Sequence, residues 1–258
     1  MDHFPGNWGQ QKQMRDEHYL NDFTQIPKSA PISHTQQPIV TGTSVLGIKF
    51  KDGVMLAADT LASYGSLAQI RDMKRLAAVG DYTVIGAGGD MSDWQHIQHV
   101  LEAEIITEYY NDDGHTLFPE HIHEYLSRLL YNRRSKQDPL WNSLVVGGFN
   151  KGKKFLGYVD YQGTTYHSST IATGYGSMIA QPLLRKAVEG NEDTLTEEEA
   201  IKILDDSMRV LFYRDARSLN KIQRATITAS GSKITEPYSL ATEWGFADSI
   251  RGYGAVYE

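Results

Sequence analysis

The run Val54-Met55-Leu56-Ala57-Ala58 leaves neither face of an extended strand polar. Side chains on a strand alternate between the two faces of its sheet, so such a strand must be covered on both sides. It follows Thr43–Phe50, which places Leu46, Ile48 and Phe50 on one face, and Lys51-Asp52-Gly53 supplies the turn between the two. Val84–Gly89 reads as a further buried strand that ends in small residues. These segments require an interior built from sheets.

The helical signals come in pairs. Ser92-Asp93-Trp94-Gln95 fits a capping box, and Trp94, Ile97, Leu101 and Ile105 then recur at helical spacing. Pro119 opens a second helix with a stripe of Ile122, Leu126 and Leu129/Leu130. Strands return at Ser143–Phe149 and Phe155–Asp160, joined by Asn150-Lys151-Gly152-Lys153. One helix after Gly176 carries Met178, Leu183 and Leu184, and another, capped by Thr196-Glu197-Glu198-Glu199, carries Ala200, Ile203/Leu204, Ser207 and Leu211. Arg224–Ser230 and its successor predict a closing hairpin around Gly231-Ser232. Blocks of strands alternating with pairs of helices predict an α+β fold, a four-layer αββα sandwich, in place of an alternating doubly wound sheet.

Composition sets the ends of that domain. Residues 1–34 hold three Ile, Leu or Val (Leu20, Ile26, Ile32), whereas residues 35–60 hold seven. The first stretch buries little apolar surface and reads as an arm, with the folded part starting close to Thr41–Thr43. The expected organisation is therefore an arm over 1–42, a single domain over 43–243 and a tail over 244–258. Trp244-Gly245-Phe246-Ala247 and the aromatics spaced by glycine up to Tyr257 suit a tail that docks on other chains.

Chemistry is narrowed next. The net charge of −7 argues against a dedicated nucleic-acid partner, and the absence of cysteine excludes disulfides, thiol nucleophiles and cysteine metal sites. The longest apolar runs are too short to span a bilayer, and Met1–Asn7 has neither a basic start nor an apolar core, so a soluble intracellular protein is expected. His96 and His99 sit three apart without further ligands nearby and read as the polar face of a helix, while His121 and His123 should diverge. Gly86-Ala87-Gly88-Gly89 and Gly174-Tyr175-Gly176 lack the downstream acid of a dinucleotide fingerprint. Arg133-Arg134-Ser135-Lys136 is too short for a nucleic-acid footprint. No cofactor or metal is expected.

An ordered set of short motifs carries a resemblance. Gly42-Thr43-Ser44 precedes a strand, then come Gly53-Val54, Ala57-Ala58-Asp59, Gly86-Ala87-Gly88-Gly89-Asp90 with Asp93, and Tyr213-Arg214-Asp215-Ala216-Arg217-Ser218. From about Thr43 to Ser230 the chain resembles the proteasome β-type subunits of the N-terminal-nucleophile hydrolase superfamily. That resemblance implies an αββα fold and a threonine peptidase site. In such a site the first residue of the mature chain attacks through its hydroxyl, and its own α-amino group takes the proton. Thr43 matches the nucleophile, Gly42 the small residue preceding self-cleavage and Asp59 the acidic partner. Gly89 matches the oxyanion glycine, and Asp215 and Ser218 the carboxylate and hydroxyl that orient the amino end.

Two positions depart from the pattern, and a third does so more weakly. The family lysine falls on Arg75, whose guanidinium stays charged and shuttles protons poorly, and Lys74 next door should face the other way. Tyr175 stands where active relatives have serine, and its phenol should intrude on the amino terminus. Leu219-Asn220 replaces a pair of glycines.

The resemblance with these departures implies a vestigial site at Thr43, Asp59, Arg75, Gly89, Tyr175, Asp215 and Ser218. It implies a non-catalytic member of a β ring, placed between β subunits, below an α ring and against the second β ring, in cytoplasm and nucleus. Its part would be structural, in ubiquitin- and ATP-dependent degradation by the assembled particle, with the arm trimmed upstream of Thr43 near Thr35-Gln36-Gln37-Pro38. The alternatives are an active threonine endopeptidase processed at Gly42–Thr43, and an interaction protein that kept the fold but left the particle.

Overall fold

The structure, a computed structural model, describes residues 39–245. The chain opens with β1 (Val40–Gly42), β2 (Val45–Phe50), β3 (Gly53–Asp59), β4 (Ala62–Tyr64), β5 (Leu67–Ile70), β6 (Leu76–Ala78) and β7 (Thr83–Asp90). Helices α1 (Met91–Asn111) and α2 (Pro119–Ser135) follow, then β8 (Asn142–Asn150), β9 (Lys153–Asp160), β10 (Thr165–His167) and β11 (Thr170–Ala172). Helices α3 (Gly176–Val188) and α4 (Glu197–Arg214) lead to β12 (Ile222–Thr228) and β13 (Gly231–Ile234).

Two antiparallel sheets form. One has the order β10-β9-β8-β7-β1-β4-β5, with β6 also on β7, and the other has the order β11-β2-β3-β12-β13. The doubly apolar β3 explains the layering. Val54, Leu56 and Ala58 pack between the sheets with Val84, Val145 and Leu156. Met55 and Ala57, with Leu46, Ile48 and Phe50 of β2, face Ala180, Leu184, Leu204 and Leu211 of α3 and α4. On the far side Ile85, Leu144 and Val146 meet Trp94, Ile97, Leu126 and Leu130 of α1 and α2. The result is the αββα sandwich.

Local details differ from the sequence reading. The α1 cap is Asp90, whose Oδ1 accepts from the Ser92 N–H at 2.8 Å, so the helix starts two residues earlier than the Ser92 box implied. In α3 the buried face is Gly176, Ala180, Leu184 and Val188, four apart, which leaves Met178 74% and Leu183 43% exposed. Thr228 pairs with Gly231, so the last turn lies at 229–230 and Gly231-Ser232 belongs to β13. The Thr196 box on α4 does form, with the Glu199 N–H bonded to Thr196 Oγ1 at 3.3 Å and the Thr196 N–H to Glu199 Oε2 at 3.0 Å. Of the tail, Trp244 packs edge-on to Tyr213 at 4.9 Å, and residues 246–258 lie outside the described residues, as do residues 1–38.

The largest difference is at the front of the domain. β1 lies ahead of Thr43 and is an interior strand, paired with β4 (Thr41↔Ser63) on one side and β7 (Gly42↔Gly89) on the other. Three residues suffice, because hydrogen bonds are made on both sides.

His121 and His123 diverge on α2. The His121 side chain is exposed and accepts from the Phe118 N–H at 3.2 Å. His123 is buried against β9, its Nε2 3.0 Å from the Tyr158 carbonyl, with the rings of Phe155 and His167 at 5.3 and 4.8 Å. Burial holds this imidazole below its ordinary value of 6.5, against the Tyr158 carbonyl, with His167 adding to the depression.

Two outcomes follow for stability. Leu56→Ala opens the inter-sheet core and should cost about 2–5 kcal/mol, read from urea unfolding. The unfolded chain binds the His123 proton more tightly than the folded chain. That contribution is therefore complete above the unfolded value and is lost as the pH falls below it. The His123 contribution to the thermal midpoint should fall between about pH 7 and pH 5, read as the difference between the unaltered chain and His123→Phe, because the raised Asp59 carboxyl acts in the opposite direction over the same range.

Candidate active site

The site sits where β1 meets β2, at the open end of the two sheets. Thr43 is held there by strands on both sides, and its Oγ1 donates to Asp215 Oδ2 at 2.6 Å. Asp215 caps the C-terminus of α4. Its N–H bonds to the Leu211 carbonyl at 2.7 Å and its Oδ1 accepts from the Arg217 N–H at 2.8 Å, so the carboxylate is fixed before it meets Thr43. Asp59 ends β3 and is 1% exposed. One of its oxygens pairs with Arg75 and the other accepts the Leu219 N–H at 2.8 Å. Leu219, unremarkable by type, thus serves through its backbone.

Arg75 is 1% exposed and occupies the centre of the site. Its Nε donates to the Ala87 carbonyl at 3.1 Å. Nη1 donates to the Asp59 carbonyl at 3.3 Å and to Asp59 Oδ1. Nη2 donates to the Ser44 carbonyl at 2.9 Å and to the Thr43 carbonyl. A guanidinium has five N–H donors, and every one is engaged. Burial lowers the Arg75 proton affinity while Asp59 restores it, and burial pushes the Asp59 carboxyl up to about 6 against the pull of Arg75. Gly42 makes room for this group, since a β-carbon there would collide with Arg75 Nε and sit 3.0 Å from Met91 Cε. The glycine at this position has a packing reason independent of any cleavage.

The other candidate residues are distributed around this core. Gly89 has φ +88°, and a β-carbon would run into the Trp141 carbonyl, so only glycine fits. Ser218 turns its hydroxyl to the end of α4, donating to the Asp215 carbonyl at 2.7 Å and to the Leu211 carbonyl at 3.3 Å. It braces Asp215. Lys74 is exposed, and only its carbonyl turns inward, accepting from Trp94 Nε1 at 3.3 Å.

Tyr175 precedes α3 with its side chain 44% exposed. A cavity of about 210 Å³ beside Thr43 is lined by Gly42, Gly89, Ser143, Gly174 and Arg217, without Tyr175. The phenol therefore points out to solvent and does not fill the space at Thr43. His96 and His99 are both exposed on α1. Among the described residues no group of three His, Asp or Glu side chains is arranged to hold a metal.

Several supporting residues were assigned no role in the site by the sequence. Ser44 Oγ accepts the Gly176 N–H at 2.8 Å, and Thr173 Oγ1 accepts the Val45 N–H at 2.9 Å, tying α3 and β11 to the strand that bears Thr43. Asn142 Nδ2 donates to the carbonyls of Gly88 and Asp90 at 3.0 and 2.8 Å. Asp93 accepts the Trp141 N–H at 2.9 Å and fixes the loop that covers Gly89. Burial of short polar side chains shows only in three dimensions.

The αββα sandwich is the N-terminal-nucleophile hydrolase-like fold, and Thr43 stands in it with its hydroxyl bonded to Asp215 and its carbonyl to Arg75. The proteasome subunit family model matches residues 39–227, and the chain belongs to that family. Among curated relatives it is 49% identical over 228 residues to the proteasome subunit beta type-4 of Xenopus laevis, covering 88% of this chain and 94% of the relative. It is 53% identical over 228 residues to the probable proteasome subunit beta type-7 of Schizosaccharomyces pombe, covering 87% of each. Against the proteasome subunit beta type-7 of Saccharomyces cerevisiae the identity is 44% over 267 residues, covering 98% of each. These similarities identify the chain as a proteasome β subunit.

Removing the Arg75 charge strands a buried carboxylate. Arg75→Met should cost about 3–5 kcal/mol, and Arg75→Lys less, because an ammonium keeps the charge but has only three donors. Gly42→Ala should destabilise by about 1–3 kcal/mol through the clash with the same guanidinium. Urea midpoints of the three variants check the order.

Proposed function

We propose that the chain is a non-catalytic, structural subunit of the β ring in the proteasome core particle. The observation that carries this reading is the spent donor set of Arg75. A proton relay beside Thr43 needs a group that releases and recaptures a proton near neutral pH. A guanidinium tied to four carbonyls and one carboxylate holds its protons, and its rigid fork is committed to the scaffold. A second support is β1. The peptide ahead of Thr43 is hydrogen-bonded to strands on both sides, so freeing the Thr43 nitrogen to serve as a base would require cutting the chain immediately after an interior strand.

On this reading the arm over 1–42 is cut upstream of β1, so that Val40–Gly42 stays as a strand, and the domain over 43–243 works as a wall element. The tail over 244–258 docks on other subunits. The chain would sit between β subunits, under an α ring and against a second β ring, in cytoplasm and nucleus. Its contribution to ubiquitin- and ATP-dependent degradation is to hold the particle together.

One observation favours the alternative, an active threonine endopeptidase processed at Gly42–Thr43. The Thr43 hydroxyl already donates to Asp215 at 2.6 Å, and a cavity opens beside it. Two measurements on the native particle separate the readings. Intact mass should give a mature N-terminus upstream of Val40, and a threonine-directed covalent probe should leave Thr43 unlabelled once the active subunits are blocked. A chain beginning at Thr43, or a probe adduct on it, would overturn the structural reading.

A further inference from the structure

The outer face of the β12–β13 ribbon is polar. Strand alternation puts Ala225 and Ile227 between the two sheets and turns Arg224, Thr226 and Thr228 to the other side. Cross-strand pairing adds Lys233, directly opposite Thr226, to the same face. The first turn of α4 stands beside this face, and together they enclose a hollow of about 420 Å³, a size typical of small-ligand sites. Among the described residues that line it, Glu197 is the one acid, against Arg224 and Lys233. On a chain of net charge −7 that is a local excess of positive charge.

Arg224 has more donors than its partners use. Nη1 donates to Tyr238 Oη at 2.8 Å and lies 3.8 Å from Asp205 Oδ1, which accepts in turn from Tyr238 Oη at 2.7 Å. Nε is buried without a partner, and Nη2 makes no hydrogen bond among the described residues. An unpaired buried N–H is destabilising and calls for a missing acceptor. Arg75, by contrast, spends every donor on the scaffold. The Nε and Nη2 groups of an arginine form one edge of its fork, the edge that takes two oxygens of an oxyanion.

The rest of the lining narrows the class of oxyanion. A carboxylate has two oxygens, which the Arg224 edge alone would fill. A phosphate monoester has three terminal oxygens and about two negative charges near neutral pH, which suits an arginine edge with an ammonium beside it. Thr226, Thr228 and Ser230 offer hydroxyls along the remaining wall, and the last two already bond to each other at 2.8 Å, so one of them has a proton to turn outward. Thr235 is occupied, its Oγ1 accepting the Arg224 N–H at 3.0 Å. The hollow is larger than a phosphate group, and its hydroxyl lining matches a ligand body rich in hydroxyls.

We propose that this hollow binds the phosphate monoester of a small hydroxylated compound, the chemistry of sugar and polyol phosphates. The phosphate meets Lys233 and the free edge of Arg224, whose guanidinium turns slightly to uncover Nε. The ligand body lies along Thr226, Thr228 and Ser230, and Glu197 disfavours a second anionic group. This inference goes beyond the structural-subunit reading and holds whether or not Thr43 is active.

The test is titration calorimetry of the full chain with glucose 6-phosphate, glucose, inorganic phosphate and a capped Gly-phosphoserine-Gly peptide. Glucose 6-phosphate should bind, more weakly as salt rises, and glucose should give no heat of binding. Inorganic phosphate and the peptide should each bind several-fold more weakly than the sugar phosphate. Arg224→Lys should weaken glucose 6-phosphate about tenfold, because an ammonium lacks the fork. Lys233→Gln, altered at an exposed side chain that the fold does not need, should weaken it several-fold. Absence of any phosphate-dependent heat overturns the proposal, as does affinity that both variants keep. Inorganic phosphate binding as tightly as the sugar phosphate, or the peptide binding more tightly, overturns the ligand class. None of these outcomes depends on the mature N-terminus or on labelling of Thr43.

Discussion

One buried guanidinium is hydrogen-bonded to three parts of the chain at once. Arg75 reaches β7 through Ala87, the end of β3 through Asp59, and the segment between β1 and β2 through Thr43 and Ser44. The first two belong to different sheets, and the third is the link between a strand of each. The sandwich is apolar along its length, but at the Thr43 end four backbone carbonyls turn toward the buried Arg75. A buried carbonyl without a donor costs about 1–3 kcal/mol. A planar fork with five donors satisfies four carbonyls at once, which an ammonium with three cannot do. The surrounding residues then follow from Arg75. Gly42 must lack a side chain, Asp59 must be an acid, and the Leu219 N–H supplies the remaining bond to that acid.

The same interaction links the site to the topology. Because β1 is hydrogen-bonded to β4 and β7, the β4–β5 hairpin joins the strand order of the large sheet, among the described residues, through residues ahead of Thr43. A chain cut between Gly42 and Thr43 keeps β1 only as a separate piece, whereas a chain cut further upstream keeps it covalently. In an active site the amino end has to be free. In this site the strand ahead of Thr43 is part of the wall, and Arg75 grips the carbonyl of Thr43 itself. Structure and chemistry make opposite demands on one peptide bond.

Most of the layering was readable because it rests on periodicity. β3 shows two apolar faces, and the stripes of α1, α2 and α4 show one each, so their stacking order is nearly forced. The positions of Thr43, Asp59, Gly89 and Asp215 were accessible as ordered motifs. What was hidden depends on geometry that spacing does not encode. β1 is three residues of unremarkable composition, and only its two neighbours make it a strand. The face of α3 is set by Gly176 and Ala180, small residues that permit close approach, so larger side chains such as Met178 point outward. Tyr175 was read by position as an intruder, but the backbone at the start of α3 turns its ring to solvent. Ser44, Thr173 and Asn142 are ordinary polar residues until burial gives their hydrogen bonds weight.

The persistence of Asp59 bears on how such sites should be read. An acid kept beside a threonine invites a catalytic reading. Here the acid has a structural duty that would hold it in place without any reaction. Burial raises its carboxyl to about 6, so at neutral pH its charge depends on Arg75 and the Leu219 N–H. Neither member of the pair is tolerable alone, since an unpaired charge in this interior costs several kcal/mol. Once arginine occupies the central position, aspartate is the side chain that neutralises it and accepts its hydrogen bond. The presence of Asp59 is therefore uninformative about peptidase activity. The informative feature is the identity of its cation, because lysine and arginine neutralise the acid equally well and differ in whether they can give up a proton.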